Sequence, residues 1–209
     1  MTDDLVFYTN PMSRGRIIRW MLEETGAPYR TEFLAYGPEM QTPAYLAINP
    51  LGKVPAITHR GATITECAAI CAYLADAFPG AGLAPAPADR AAYYRWLFFA
   101  SGPLEAAIMN ASLGFEAPEN MRRRIGYVDM PTMLDALEGA VTRADHIAGD
   151  AFSAADVYAG SQIGWGLQFG TIEDRPAFRA YWDRIGTRPA CRRATEIDNA
   201  AHAEAQAKA

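Results

Sequence analysis

The chain has 209 residues, 50% of them hydrophobic and 21% charged, a balance that excludes a disordered tail and provides for one large core or two modest ones. Its formal net charge of -5 offers no overall basic footprint for nucleic acid, which needs clustered excess Lys and Arg, so a small-molecule partner is expected. No run reaches the ~18 apolar residues of a membrane helix, and the acidic opening Met1-Thr2-Asp3-Asp4 lacks the charged start and long apolar stretch of a secretion signal.

The segment Leu5 to Thr9 (LVFYT) is short, β-branched and aromatic, and the turn signal Asn10-Pro11 follows it, so it reads as a first strand. From Ser13 the apolar residues Ile17, Ile18, Met21 and Leu22 fall at helical spacing until Gly26 and Pro28 end the pattern. Tyr29 to Leu34 returns as a second strand, giving a βαβ unit long enough for a parallel crossover. A short helical piece spans Pro43 to Ile48. The loop Asn49-Pro50-Leu51-Gly52-Lys53-Val54-Pro55 precedes a strand at Ala56 to Thr58, and Arg60-Gly61 turns a hairpin into Thr63-Ile64. From Glu66 the residues Ala69, Ile70, Tyr73, Leu74 and Ala77 are helically spaced, stopped by Phe78-Pro79-Gly80. The expected order is βαβαββα.

Prolines and glycines among alanines between Pro79 and Asp89 read as a linker. The expected division is therefore residues 1–79, a linker at 80–89, and an all-helical part at 90–209. Within the last, helical patterns cover roughly 90–112, 118–146, 153–168 and 176–188, with breaks expected at Gly102-Pro103 and Pro131 because proline removes a helix hydrogen bond. Ser153 and Asp156 have capping-box spacing; as a catalytic pair they would lack a base. The run Arg122-Arg123-Arg124 reads as a solvated helix face. Cys67, Cys71 and Cys191 make neither a CxxC pair nor a metal-ligand set, which suits free thiols in the cytoplasm and a protein without a metal.

Four segments then coincide in order: NPLGKVP at 49–55, ITECAAICAYL at 64–74, GDAFSAAD at 149–156 and YWDRIGTRPA at 181–190, after a βα start carrying Ser13-Arg14-Gly15-Arg16. Together they resemble the glutathione S-transferase family over almost the whole chain. The resemblance implies an α/β, thioredoxin-like glutathione-binding domain of order βαβαββα followed by a C-terminal helical bundle. It also implies a cytoplasmic homodimer engaged in detoxification, with glutathione as co-substrate and a small hydrophobic electrophile as its partner, and with neither membrane nor nucleic acid.

Glutathione carries one ammonium and two carboxylates on an extended tripeptide, so its site needs an acid, several donors and a backbone partner. By the resemblance, Glu66 pairs with the γ-glutamyl ammonium and the amide of Cys67, at a helix N-terminus, donates to the γ-glutamyl carboxylate. Val54 bonds the cysteinyl backbone as an added strand does, with Pro55 in the cis form, and Lys53 meets the glycyl carboxylate. The family usually has serine where this chain has Cys67; a thiol is a weaker donor, so the contact falls to the backbone, with Thr65 as a further donor.

Transfer chemistry needs the glutathione sulfur as a thiolate. Ser13, just after the first strand, stands where serine-type members carry the activating hydroxyl; it also suits a plain helix cap. Tyr8 is the alternative used by tyrosine-type members, and Arg14 the alternative in some bacterial ones. Tyr94, Phe98, Phe99 and Met109 are candidates to meet the second substrate, although aromatic residues at helical spacing more often build a core. Peroxide reduction by the same thiolate is a related activity. The absence of cysteine from Asn10 to Arg16 argues against mixed-disulfide chemistry. The competing function is a glutathione-transferase-like binding or scaffold protein without strong catalysis.

Overall fold

Short apolar strands need a partner on each side, and in the computed structural model, which describes residues 4–207, β1 (Val6–Thr9) finds both. It pairs in parallel with β2 (Arg30–Phe33) and antiparallel with β3 (Ala56–His59), and β4 (Ala62–Thr65) pairs with β3. The sheet order is β2-β1-β3-β4. Met1, Thr2 and Asp3, read above for a secretion signal, lie outside the described residues.

The crossover between β1 and β2 is α1 (Gly15–Thr25), which buries Ile17, Ile18, Met21 and Leu22 and ends at Gly26 with φ 65, the left-handed cap that glycine adopts without a Cβ penalty. The one-turn helix α2 (Pro43–Leu46) starts from Thr42, whose hydroxyl accepts the Tyr45 amide at 3.3 Å. Helix α3 (Cys67–Ala77) follows β4 directly. The βαβαββα order expected from the residues is the order found.

The helical half runs through α4 (Ala91–Phe99), a π-helical turn at Ala100–Leu104, α5 (Glu105–Ser112), α6 (Met130–Arg143), α7 (Ala154–Phe169) and α8 (Pro176–Gly186). Gly102-Pro103 does not break the helix: the wider turn accommodates the missing amide of Pro103, and the chain stays helical through it. The pattern expected at 118–146 is divided. A short 3-10 turn occupies Glu119–Arg124, carrying the basic run, and α6 begins only at Met130, capped by Asp129, whose carboxylate accepts the Thr132 amide at 3.0 Å. Pro131 sits in the first turn, where a missing N–H costs nothing.

By internal contacts the chain forms two compact units, one reaching Leu83 and resuming at Pro189, the other Ala84–Arg188. The first therefore includes a helix that the sequence pattern did not reveal, α9 (Pro189–Ala207), packed on α1. Its buried positions are Ala190, Cys191, Ala194 and Asp198, small or charged residues that make no hydrophobic stripe. Asp198 accepts the Nε–H of Arg19 at 3.2 Å, with both side chains at most 2% exposed. The Arg19 guanidinium also donates to Thr31 Oγ1 at 2.7 Å and Tyr29 Oη at 3.1 Å, and lies 4.9 Å from the Phe7 ring centroid. Burial raises the Asp198 pKa above its ordinary value, against the attraction of Arg19.

In the second unit Asp156 has a comparable place. Its carboxylate accepts the amides of Ile147 at 2.8 Å and Ser153 at 2.9 Å, the Ser153 hydroxyl at 3.1 Å and the Tyr181 hydroxyl at 2.8 Å. The Ser153–Asp156 pair is thus a helix-start device, with no role left over for catalysis. Among the described residues no helix is long and apolar enough to cross a membrane.

Removing one member of a buried ion pair strands the other, so Asp198→Ala is expected to cost about 3–5 kcal/mol in denaturant unfolding. Arg19 Nη2 and Asp198 Oδ2 find no hydrogen-bond partner among the described residues, so the apolar double variant Arg19→Met/Asp198→Leu should recover most of that loss. Asp156→Ala, which orphans buried donors, should cost about 3 kcal/mol by the same measurement.

Candidate functional site

The register of the sheet determines which loops meet. Tyr8 is opposite Ala56 across β1 and β3, and Ala56 is opposite Thr65 across β3 and β4, so the three residues form one rung. The segment after Tyr8, the segment before Ala56 and the segment after Thr65 therefore leave the sheet at the same end. These carry Ser13 and Arg14, then Lys53, Val54 and Pro55, then Glu66 and Cys67. The starts of α1 and α3 are brought together there: the Cys67 Sγ–H points at the Arg14 carbonyl, 3.9 Å away. Two helix N-termini give that corner a partial positive potential, suited to an anion.

Ser13 is half-buried, and its Oγ donates to the Asn10 carbonyl at 2.7 Å while accepting the Gly15 amide at 2.9 Å. It therefore satisfies an orphan amide at the start of α1. Arg14 is exposed. Tyr8 is half-buried with its ring 5.8 Å from that of Tyr45. Strand alternation puts Tyr8 on the face opposite Phe7, which meets Arg19 of α1.

The Val54–Pro55 peptide bond is cis, and neither the amide nor the carbonyl of Val54 bonds to another described residue. Lys53 is exposed, and its carbonyl accepts the Tyr45 hydroxyl at 2.6 Å and the Asn49 Nδ2–H at 2.7 Å. Burial, with a smaller contribution from Tyr8, pushes the Tyr45 phenol up to about 12. Glu66 is exposed and takes φ 65, an uncommon conformation for a residue with a side chain, and its carboxylate does not cap its own helix. Cys67, 8% exposed, heads α3.

Several residues at this end were not anticipated. Asn10 Oδ1 accepts the Met12 amide at 2.9 Å and its Nδ2–H donates to the Leu34 carbonyl at 2.8 Å. Asn49 Oδ1 accepts the Leu51 amide at 3.1 Å in the same way. Both are asparagines before proline, and that shared dipeptide was the available signal: an Asx turn locks a loop that proline already stiffens. Arg16 Nε donates to the Pro11 carbonyl at 2.5 Å, and Tyr36 Oη to the Met12 carbonyl at 3.2 Å. In the other unit, Tyr94, Phe98 and Met109 are exposed, whereas Phe99 packs against Trp96, ring centroids 5.3 Å apart.

Burial, with Cys67 adding to it, raises the Cys71 thiol well above its ordinary value. Cys71→Ser is accordingly expected to leave the count of thiols that react with a disulfide reagent in the native protein unchanged, and to lower it by one after unfolding.

The family model for the glutathione S-transferase N-terminal domain matches residues 12–77, a stretch that includes every candidate of this corner except Tyr8. The curated glutathione S-transferase F9 of Arabidopsis thaliana is 29% identical over 170 residues, 73% of this chain and 77% of that protein. Among solved structures, a sphingomonad glutathione S-transferase in complex with glutathione is 30% identical with a TM-score of 0.73, covering 93% of this chain and 98% of that one. The theta-class glutathione S-transferase of Xanthomonas axonopodis pv. citri with glutathione bound is 26% identical, TM-score 0.71, covering 93% and 98%.

Proposed function

The chain belongs to the glutathione S-transferase family, and we propose that it holds the sulfur of glutathione as a thiolate beside Ser13 and adds it to a small hydrophobic electrophile. The observation that carries this reading is the common rung of Tyr8, Ala56 and Thr65, which gathers a hydroxyl, a strand edge, a carboxylate and two helix N-termini at one end of the sheet.

On this reading each group answers one part of the tripeptide. The amide and carbonyl of Val54, unused within the described chain, extend the sheet by one short strand to the cysteinyl backbone. Glu66 pairs with the γ-glutamyl ammonium, and its positive φ supports the assignment, because strain of about 1–3 kcal/mol in an exposed carboxylate persists where a site uses it. The γ-glutamyl carboxylate takes the Cys67 amide at the α3 N-terminus; the Cys67 side chain, turned to the Arg14 carbonyl, leaves that contact to the backbone. Lys53 meets the glycyl carboxylate.

The step that matters for rate is the thiol's proton. Lowering its pKa by ~2 units corresponds to about 2.7 kcal/mol, within reach of one hydrogen bond to a charged group, about 1.5–3 kcal/mol. The Ser13 hydroxyl donates to the neutral Asn10 carbonyl. A thiolate is a stronger acceptor than a carbonyl, so the hydroxyl rotates to it, and the amide of Gly15, donating to Oγ, polarises it further. The thiol's proton passes to solvent as the thiolate forms; the thiolate then attacks the electrophile's carbon, the carbon–sulfur bond forms, and the leaving group departs with its electron pair. In the related peroxidase step the thiolate attacks a hydroperoxide oxygen, the O–O bond breaks to release an alkoxide that takes a proton from water, and a second glutathione converts the resulting sulfenic acid to glutathione disulfide and water.

The test is the ultraviolet absorbance of the thiolate as glutathione and protein are titrated across pH. Wild type should form thiolate about two units below free thiol, and Ser13→Ala should lose that shift with a fall in kcat/KM of about 10- to 150-fold. Glu66→Gln should raise KM for glutathione about tenfold with a smaller effect on kcat. A wild type that binds no glutathione at millimolar concentration would make the protein a scaffold of this fold. Retention of the thiolate in Ser13→Ala would move activation to Tyr8 or Arg14.

A further inference from the structure

Helix α1 approaches the end of β1 more closely than a side chain at its first position allows. A Cβ on Gly15 would stand 1.9 Å from Thr9 Oγ1, 3.0 Å from Thr9 Cβ and 2.9 Å from Ser13 Oγ. Gly15 does not have a positive φ. Its backbone is helical, a conformation that every residue adopts and that glycine disfavours, so neither turn geometry nor propensity accounts for a glycine here. What remains is space. Thr9 is fully buried at the end of β1, with its hydroxyl donating to the Asn10 carbonyl at 3.3 Å, and it has no solvent to yield into.

The contact is tied to the proposed activating hydroxyl through short bonds. The Gly15 amide donates to Ser13 Oγ at 2.9 Å, and Ser13 Oγ and Thr9 Oγ1 both donate to the same Asn10 carbonyl. Any displacement of the first turn of α1 from Thr9 carries the Gly15 amide with it and re-aims the Ser13 hydroxyl. We propose that Thr9 and Gly15 act as a size-matched pair of positioning residues for thiol activation, seating the start of α1 against β1 and thereby placing Ser13 Oγ. The proposal rests on the reading of Ser13 as the activating group. Both residues are buried and act through the serine.

Because Thr9 Oγ1 and a Cβ at position 15 would claim the same space, the pair is tested by exchanging their volumes. The thiolate pKa of bound glutathione and the KM for glutathione are measured for wild type, Ser13→Ala, Thr9→Ala, Gly15→Ala and Thr9→Ala/Gly15→Ala, with circular dichroism establishing that each variant is folded. Gly15→Ala is expected to raise the thiolate pKa by about one unit, a tenfold shift, while KM changes less than about threefold. Thr9→Ala should raise it by less. The double variant should lie below Gly15→Ala, since the new methyl group fills the space the threonine hydroxyl left, a non-additivity that a merely structural defect in each would not produce.

A Gly15→Ala protein that titrates like wild type, or a double variant with the summed effects of the singles, overturns the pairing and leaves the role of Ser13 intact. If Ser13→Ala itself leaves the thiolate pKa unchanged while glutathione still binds, the reading of Ser13 falls and this inference with it. Should Gly15→Ala fail to fold, the Thr9→Ala arm decides: a raised thiolate pKa supports the pairing, and a wild-type titration overturns it.

Discussion

The register of β3 between β1 and β4 is the constraint on which the candidate site depends. Tyr8, Ala56 and Thr65 must share a rung for the loops beyond them to meet, and a slip of one residue would turn every side chain of the strand to the other face. The register is secured from both faces of the sheet. Phe7 and Ile57, paired on β1 and β3, are fully buried, while Tyr8 leans on Tyr45, which is also buried and bonded to the Lys53 carbonyl. The same packing that makes the core therefore specifies where the ends of the strands lie.

Each compact unit also contains one buried carboxylate that draws distant segments together. In the first, Asp198 of α9 meets Arg19 of α1, and the guanidinium continues to Tyr29 and Thr31 at the β2 edge. In the second, Asp156 ties the start of α7 to the Ile147 amide and to Tyr181 of α8. The two differ in how completely they are satisfied. Asp156 accepts on both oxygens, whereas Asp198 Oδ2 and Arg19 Nη2 have no partner among the described residues. The Asp156 arrangement is a well-filled cap; the Asp198–Arg19 pair selects one docking of a small-residue helix rather than adding net stability.

Around Ser13 the loop is held by many short-range contacts and little apolar burial. Asn10 bonds Met12 and Leu34, Arg16 reaches the Pro11 carbonyl and then Asn199 on α9 at 2.9 Å, and Tyr36 bonds the Met12 carbonyl. Such a network of hydrogen bonds suits a hydroxyl that, on the proposed reading, exchanges a carbonyl for a charged sulfur without moving the backbone.

Much of this was legible in the residues because the signals are local. The β-branched and aromatic run at 5–9, the helical spacing of Ile17, Ile18, Met21 and Leu22, and the stop at Gly26 act within a few residues of each other, and elements appeared where those signals put them. Proline was harder, because its effect depends on its position in a helix: Pro131 lies in a first turn and Pro103 inside a π-helical turn, and spacing alone does not distinguish the two. Helix α9 was not visible, since Ala190, Ala194 and Asp198 bury no recognisable apolar stripe.

By itself, the sequence determined the βαβαββα order of the first half and the helical character of the second, since hydrophobic period and turn chemistry are properties of neighbours in the chain, while the residues of the candidate site came from the family resemblance. Only the tertiary structure decided that Asp198 pairs with Arg19, 179 residues away, that Tyr45 and Asn49 hold the Lys53 carbonyl, and that Gly15 has no room for a methyl group beside Thr9. Periodicity states which face of a segment is buried; what lies against that face is a matter of packing, and packing is settled only when the whole chain has found its place.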